Sequence, residues 1–121
     1  MKKFVFDSYA FLVFLNREPG SDRVRDILRE ARIAGQRLPM SAINRGEVLY
    51  SIWRKDGRAG AQFIEERIRN SPIEVVLPTI DQIRDAAELK AQGGASYADC
   101  FAAALALELD LPVLTGDVTP R

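Results

Sequence analysis

Short apolar runs alternate along this chain with longer segments whose apolar residues recur at helical spacing. Phe4-Val5-Phe6 is a β-rich run ending at Asp7, and Ala10 to Leu15 predicts a short helix closed by the turn signal Glu18-Pro19-Gly20. Ser21 is then placed to cap a helix carrying Val24, Ile27, Leu28 and Ala31, with Gly35 at its end. Arg37 to Met40 predicts a second strand. Ser41 follows as the cap of a helix with Ile43, Val48, Leu49, Ile52 and Trp53, which Gly57 is expected to stop. Phe63, Ile64 and Ile68 predict one more helix, ending near Asn70-Ser71-Pro72. Ile73 to Leu77 is the third strand. Thr79 and Gln82 form a capping box for a helix through Ile83, Ala86, Ala87 and Leu89, ended by Gly93-Gly94. Ser96 caps the last helix, which carries Phe101, Ala104, Leu105 and Leu107, and Leu111 to Thr115 supplies a fourth strand.

Strands that alternate with helices call for a parallel sheet covered on both faces, because parallel neighbours need long crossover connections. No repeat, linker or low-complexity tract divides the chain, so residues 1–121 are expected to form a single domain. On such sheets, ligands bind outside the carboxyl ends of the strands, where the strand order reverses. That directs attention to Asp7, which follows the first strand, and Asp117, which follows the fourth.

Composition narrows the chemistry. The chain is 47% apolar and 28% charged, as in an ordinary folded domain. No apolar run approaches the roughly 18 residues of a membrane span. Met1 to Leu15 has two lysines and an apolar stretch, but Asp7 interrupts the stretch and no small-residue cleavage site follows. The single Cys100, set among apolar residues, reads as a small core hydrophobe, and a cytoplasmic location is expected. There is no histidine, which excludes Ser-His-Asp and Cys-His nucleophilic sites as well as His-based zinc sites. Formal charge is zero, with 17 basic and 17 acidic residues, so any nucleic-acid contact must come from a local patch. Arg45, Arg54, Lys55 and Arg58 supply one candidate patch, and a solvated basic face is the simpler reading of the same residues.

Four acids carry the functional reading. Asp7 can cap the helix after the first strand, Asp99 sits in the capping-box-like Ser96-Tyr97-Ala98-Asp99, Glu47 falls at the edge of an apolar helix face, and Asp117 lies in a turn. Each has this ordinary explanation by itself. Together, their placement at strand ends and helix starts suggests one acidic pocket, whose mutual repulsion a divalent cation would offset. An oxygen-rich site of this kind suits Mg²⁺ or Mn²⁺, which also bind phosphate oxygens and activate water for phosphodiester hydrolysis.

Three segments resemble a known family: FVFDSYAFLVFL at 4–15, SAINRGEVLYSIWR at 41–54 and SYADCFAAALALELDLPVLTGD at 96–117. In this order and spacing they resemble the PIN-domain nucleases, especially the VapC-type toxins of toxin-antitoxin pairs. The resemblance implies a three-layer α/β/α sandwich and Mg²⁺- or Mn²⁺-dependent cleavage of RNA. It also implies a homodimer and inhibition by a cognate antitoxin protein. By motif match, Asp7, Glu47, Asp99 and Asp117 take the family's acidic positions, as catalytic residues and metal ligands, with Thr115 a polar residue beside them. The resemblance implies continuation past the fourth strand to a fifth, whereas this sequence stops at Val118-Thr119-Pro120-Arg121, so the expectation is either a truncated chain or a fold with the final edge strand missing.

Other enzyme classes fit less well. A haloacid-dehalogenase-type phosphatase needs Asp two positions after Asp7, where Tyr9 stands, and a receiver domain needs paired N-terminal acids and a late lysine. GxGxxG and GxxxxGK[ST] do not occur. The remaining alternative is a non-catalytic PIN fold that binds RNA or an antitoxin without hydrolysis.

Overall fold

The computed structural model describes residues 3–115. Four strands, β1 (Val5–Phe6), β2 (Leu38–Ser41), β3 (Ile73–Val76) and β4 (Val113–Leu114), form one sheet in the order β3-β2-β1-β4, with every pair parallel. Five helices accompany them: α1 (Ser8–Leu15), α2 (Ser21–Ala34), α3 (Ala42–Arg69), α4 (Ile80–Ala91) and α5 (Tyr97–Leu109).

Side-chain alternation in β1 sets the layers. Phe4 and Phe6 enter the large core with Phe11, Leu28, Val48, Ile52, Ile64 and Ile68, so α1, α2 and α3 cover one face. Val5 points the other way, onto Ala102, Leu105 and Ala106 of α5. Outside α5 lies α4, joined through Ala86, Cys100, Phe101 and Ala104. The result is the expected α/β/α sandwich, with Cys100 buried as a core residue. The alanines let α5 lie close to the sheet.

Several local expectations shift. Helix α1 begins at Ser8, two residues before Ala10, because the Asp7 carboxylate accepts the Ala10 N–H at 2.8 Å and starts the helix early. Ser21 is not a cap but the first residue of α2. The cap is Gly20, whose left-handed φ of 97° disfavours other residues. Thr79 caps α4 by accepting the Gln82 N–H at 3.1 Å, while the Gln82 side chain donates to Glu108 on α5 at 3.0 Å. Ile83 of α4 and Leu107 of α5, expected on apolar faces, are exposed, because α4 buries only the stripe facing α5, and α5 only those facing the sheet and α4.

Gly57 interrupts α3 without leaving a loop: its φ of 73° and ψ of −166° lie outside the helical region, with helix on both sides. The two arms fold back on one another. Arg45 and Glu65, 20 residues apart, meet in an ion pair at 3.0 Å, whereas a straight helix would separate them by roughly 30 Å. Just past the bend, a Cβ at Gly60 would stand 2.5 Å from that of Asp56.

Candidate active site

The strand order dictates where a site belongs. From β1 the chain adds β2 and then β3 on one side, and returns to place β4 on the other side of β1. The reversal therefore lies between β1 and β4, and the carboxyl end of β1 is where such sheets leave a crevice. Asp7 occupies that position, and Thr115, half-buried, directly follows β4.

Asp7 is 5% exposed. Burial is the main reason its carboxyl is pushed up to about 6, opposed by the backbone N–H groups of Ala10 and Tyr9, while the charges of Asp99 and Glu47 raise it further. Three of the four acids named from the sequence are thus brought within electrostatic reach of one another. Glu47 is half-buried one turn and a half into α3, and Asp99 is exposed in the first turn of α5. The backbone N–H of Asp99 donates to the Ser96 hydroxyl at 3.1 Å, which leaves its carboxylate free of capping. Among the described residues, none of the three carboxylates is in an ion pair. Asp117 lies outside the described residues.

The starts of α1, α3 and α5 converge behind these acids, and a residue that sequence reasoning passed over ties them together. Asn44 is fully buried. Its Nδ2 donates to Ser8 Oγ at 3.0 Å and to the Ala98 carbonyl at 3.1 Å, and the Ser8 hydroxyl donates to the Asn44 carbonyl at 3.3 Å. The available signal was an asparagine on the same helical stripe as Val48 and Ile52, all three buried.

A hard divalent cation fits this donor set. Asp7 is buried, Glu47 half-buried and Asp99 exposed; among the described residues none has a cationic partner, and their oxygen atoms are the ligand type Mg²⁺ and Mn²⁺ prefer. Among the described residues no three acidic side chains come close enough to enclose one ion. Mg²⁺ itself needs only one or two direct carboxylates, with waters completing its shell.

The basic residues divide. Arg45 is engaged by Glu65, and Arg54 lies over the Tyr50 ring and donates to its hydroxyl at 2.7 Å. Lys55 and Arg58 are exposed on either side of the Gly57 bend. A cleft of about 780 Å³ lies elsewhere, between α1, α2 and α3. Phe14, Leu15, Ile52, Phe63 and Ile64 line it beneath Arg17, Arg25 and Arg67, and none of the three acids reaches it.

A parallel sheet with acids at its switch point, and three helix starts gathered behind them, defines the class. Residues 4–119 match the model of the PIN domain, and the chain belongs to the PIN-domain family. Solved structures agree in fold. VapC20 of Mycobacterium tuberculosis, described as a sarcin-ricin loop cleaving toxin, superposes with a TM-score of 0.68 at 13% identity, covering 90% of this chain and 85% of that one. DNA-bound VapBC of Salmonella typhimurium gives 0.69 at 17% identity, covering 93% and 85%. A toxin-antitoxin complex from Klebsiella pneumoniae gives 0.68 at 14% identity, covering 98% of both chains. No curated protein matches the sequence.

Proposed function

We propose that this chain is a metal-dependent endoribonuclease, the toxin of a type II toxin-antitoxin pair. The observation that carries the reading is Asp7: a buried carboxylate at the switch point, facing Asp99 and Glu47, with no ion-pair partner among the described residues. When bound there, Mg²⁺ or Mn²⁺ supplies charge to hold phosphate oxygens and lowers the pKa of water. The chain's own residues do the rest. Asp7, held by the Ala10 N–H, would hold the ion together with Glu47 and Asp99, and Glu47 and Asp99 would be the groups able to accept a proton from water. Asp117 and Thr115 are assigned to the same site through the family motif.

RNA is the proposed substrate, in keeping with the activity named for the VapC20 neighbour. Lys55 and Arg58 are exposed cations available to its phosphates, while Arg45 is engaged by Glu65 and Arg54 by Tyr50. A cognate antitoxin is the proposed protein partner, since two of the similar structures are toxin-antitoxin assemblies. The mixed polar and apolar cleft between α1, α2 and α3 offers it a groove, and exposed Tyr50 and Trp53 on α3 offer a surface for a homodimer. No described helix is long and apolar enough to cross a membrane, and a cytoplasmic location is proposed with the function.

Sequencing the 5′ ends of RNA from cells expressing this chain tests the reading. New ends that vanish in Asp7→Asn are expected. Identical ends in both would remove the ribonuclease assignment. The spacing of the three acids favours one alternative, a non-catalytic PIN module. Hydrolysis of RNA by purified protein in Mn²⁺, stopped by EDTA, separates the two.

A further inference from the structure

Asn44 stands where an apolar residue would serve packing better. It lies inside α3, where asparagine is a poor helix former, and it is 0% exposed on a stripe otherwise made of Val48 and Ile52. Its Oδ1 is buried with no partner among the described residues. Rotating the amide would not help, because Oδ1 would then face the Ala98 carbonyl oxygen, acceptor against acceptor. The amide orientation is therefore dictated by Ser8 and Ala98, and the stranded oxygen is the consequence.

The identity of those partners is informative. Ser8 adjoins Asp7, Ala98 adjoins Asp99, and Asn44 itself stands three residues before Glu47, on the same side of its helix. One amide thus joins the starts of the three helices that carry the acids: Asp7 as the cap of α1, Glu47 one turn and a half into α3, and Asp99 in the first turn of α5. We propose that Asn44 is the positioning residue of the acidic site: through Ser8 and the Ala98 carbonyl it sets the separation of Asp7, Glu47 and Asp99 for a divalent cation. The inference rests on the metal-dependent reading above. Groups in this supporting role behind metal ligands commonly change metal affinity tenfold to a hundredfold when removed.

The test is Mn²⁺ binding to purified protein, followed by loss of the free-ion electron paramagnetic resonance signal, alongside thermal melting. Asn44→Leu conserves volume and removes the amide. It is expected to melt cooperatively and bind Mn²⁺ roughly 10 to 100 times more weakly. Ser8→Ala is the gentler variant, since it removes a single hydroxyl, and is expected to weaken binding several-fold. It decides the matter if Asn44→Leu does not fold. Gln82→Leu is the control, for Gln82 is also a buried amide with an unpartnered oxygen, bonded between α4 and α5. It is expected to shift melting and leave Mn²⁺ affinity unchanged. Wild-type affinity in both Asn44→Leu and Ser8→Ala would overturn the inference, as would an equal loss in Gln82→Leu. Failure of the wild-type protein to bind Mn²⁺ would instead overturn the metal-dependent function, and this inference with it.

Discussion

The starts of α1 and α5 use the same local device and end in opposite electrostatic states. At each, a side-chain oxygen accepts a backbone N–H three residues on: Asp7 from Ala10 at 2.8 Å, Ser96 from Asp99 at 3.1 Å. At α1 the capping group is itself the acid and is buried under the sheet edge, so its charge is opposed by desolvation. At α5 a neutral serine does the capping, and the acid beside it stays in solvent. Local pattern decides that both helices start there. Burial decides which carboxylate is destabilised, and hence which one an ion would relieve most.

The sharpest way to break this comparison is to neutralise the buried acid. Asp7→Asn keeps the cap, because asparagine serves as well at this position. Hydrolysis of RNA is expected to fall to the level of an EDTA control. Full activity in this variant would end the claim that the buried carboxylate is the one that matters.

Stability should move the other way. A folded-state value of about 6 against an ordinary 3.8 means that the native state binds Asp7's proton more tightly than the unfolded chain does. In metal-free protein, stability is then highest below about pH 4 as far as this group is concerned, and falls as pH rises to about 6. At neutral pH the charged form costs about 3 kcal/mol, from about 2 units at 1.36 kcal/mol each. Asp7→Asn should therefore melt higher than wild type at pH 7 in EDTA and lose most of that pH dependence. Equal slopes for the two proteins between pH 4 and 6, measured by urea unfolding, would place the buried charge elsewhere.

Asp99→Asn sharpens the contrast from the exposed side. Stability is expected to change by less than about 0.5 kcal/mol, as for a surface substitution. Hydrolysis should still drop, and the Asp7 carboxyl, followed by nuclear magnetic resonance, should titrate lower once the neighbouring charge is gone. An unmoved Asp7 titration would show that the two helix starts are independent.

The smallest effects belong to the basic residues. If Lys55 and Arg58 hold phosphates, each alanine variant should reduce the salt dependence of single-stranded RNA binding by about 0.7 in log–log slope. Arg45→Ala should change it less, because Glu65 already holds that guanidinium, and should lower stability by no more than about 1 kcal/mol. A larger slope change in Arg45→Ala than in Lys55→Ala would reverse that ranking.

Much of this was readable one-dimensionally. The alternation of periods placed four strands and the helices between them, and the acids following strands pointed to Asp7 before any fold was known. Element boundaries moved where a cap did the deciding, as at Ser8 and Gly20, since a cap depends on which oxygen reaches which N–H. Asn44 was in view within a quoted motif and carried no role, because its partners lie 36 and 54 residues away.

By itself, then, the sequence determined the α/β class, the exclusion of histidine chemistry and the family motif that names Asp7, Glu47 and Asp99. These follow from residue type and from spacings of a few positions, which local physics reads directly. Only the tertiary structure decided that α3 folds back at Gly57 to pair Arg45 with Glu65, that Asp7 is the buried member of the acidic set, and that a single amide joins three helix starts. Those depend on which distant segments exclude water from one another, and that is a property of the assembled layers.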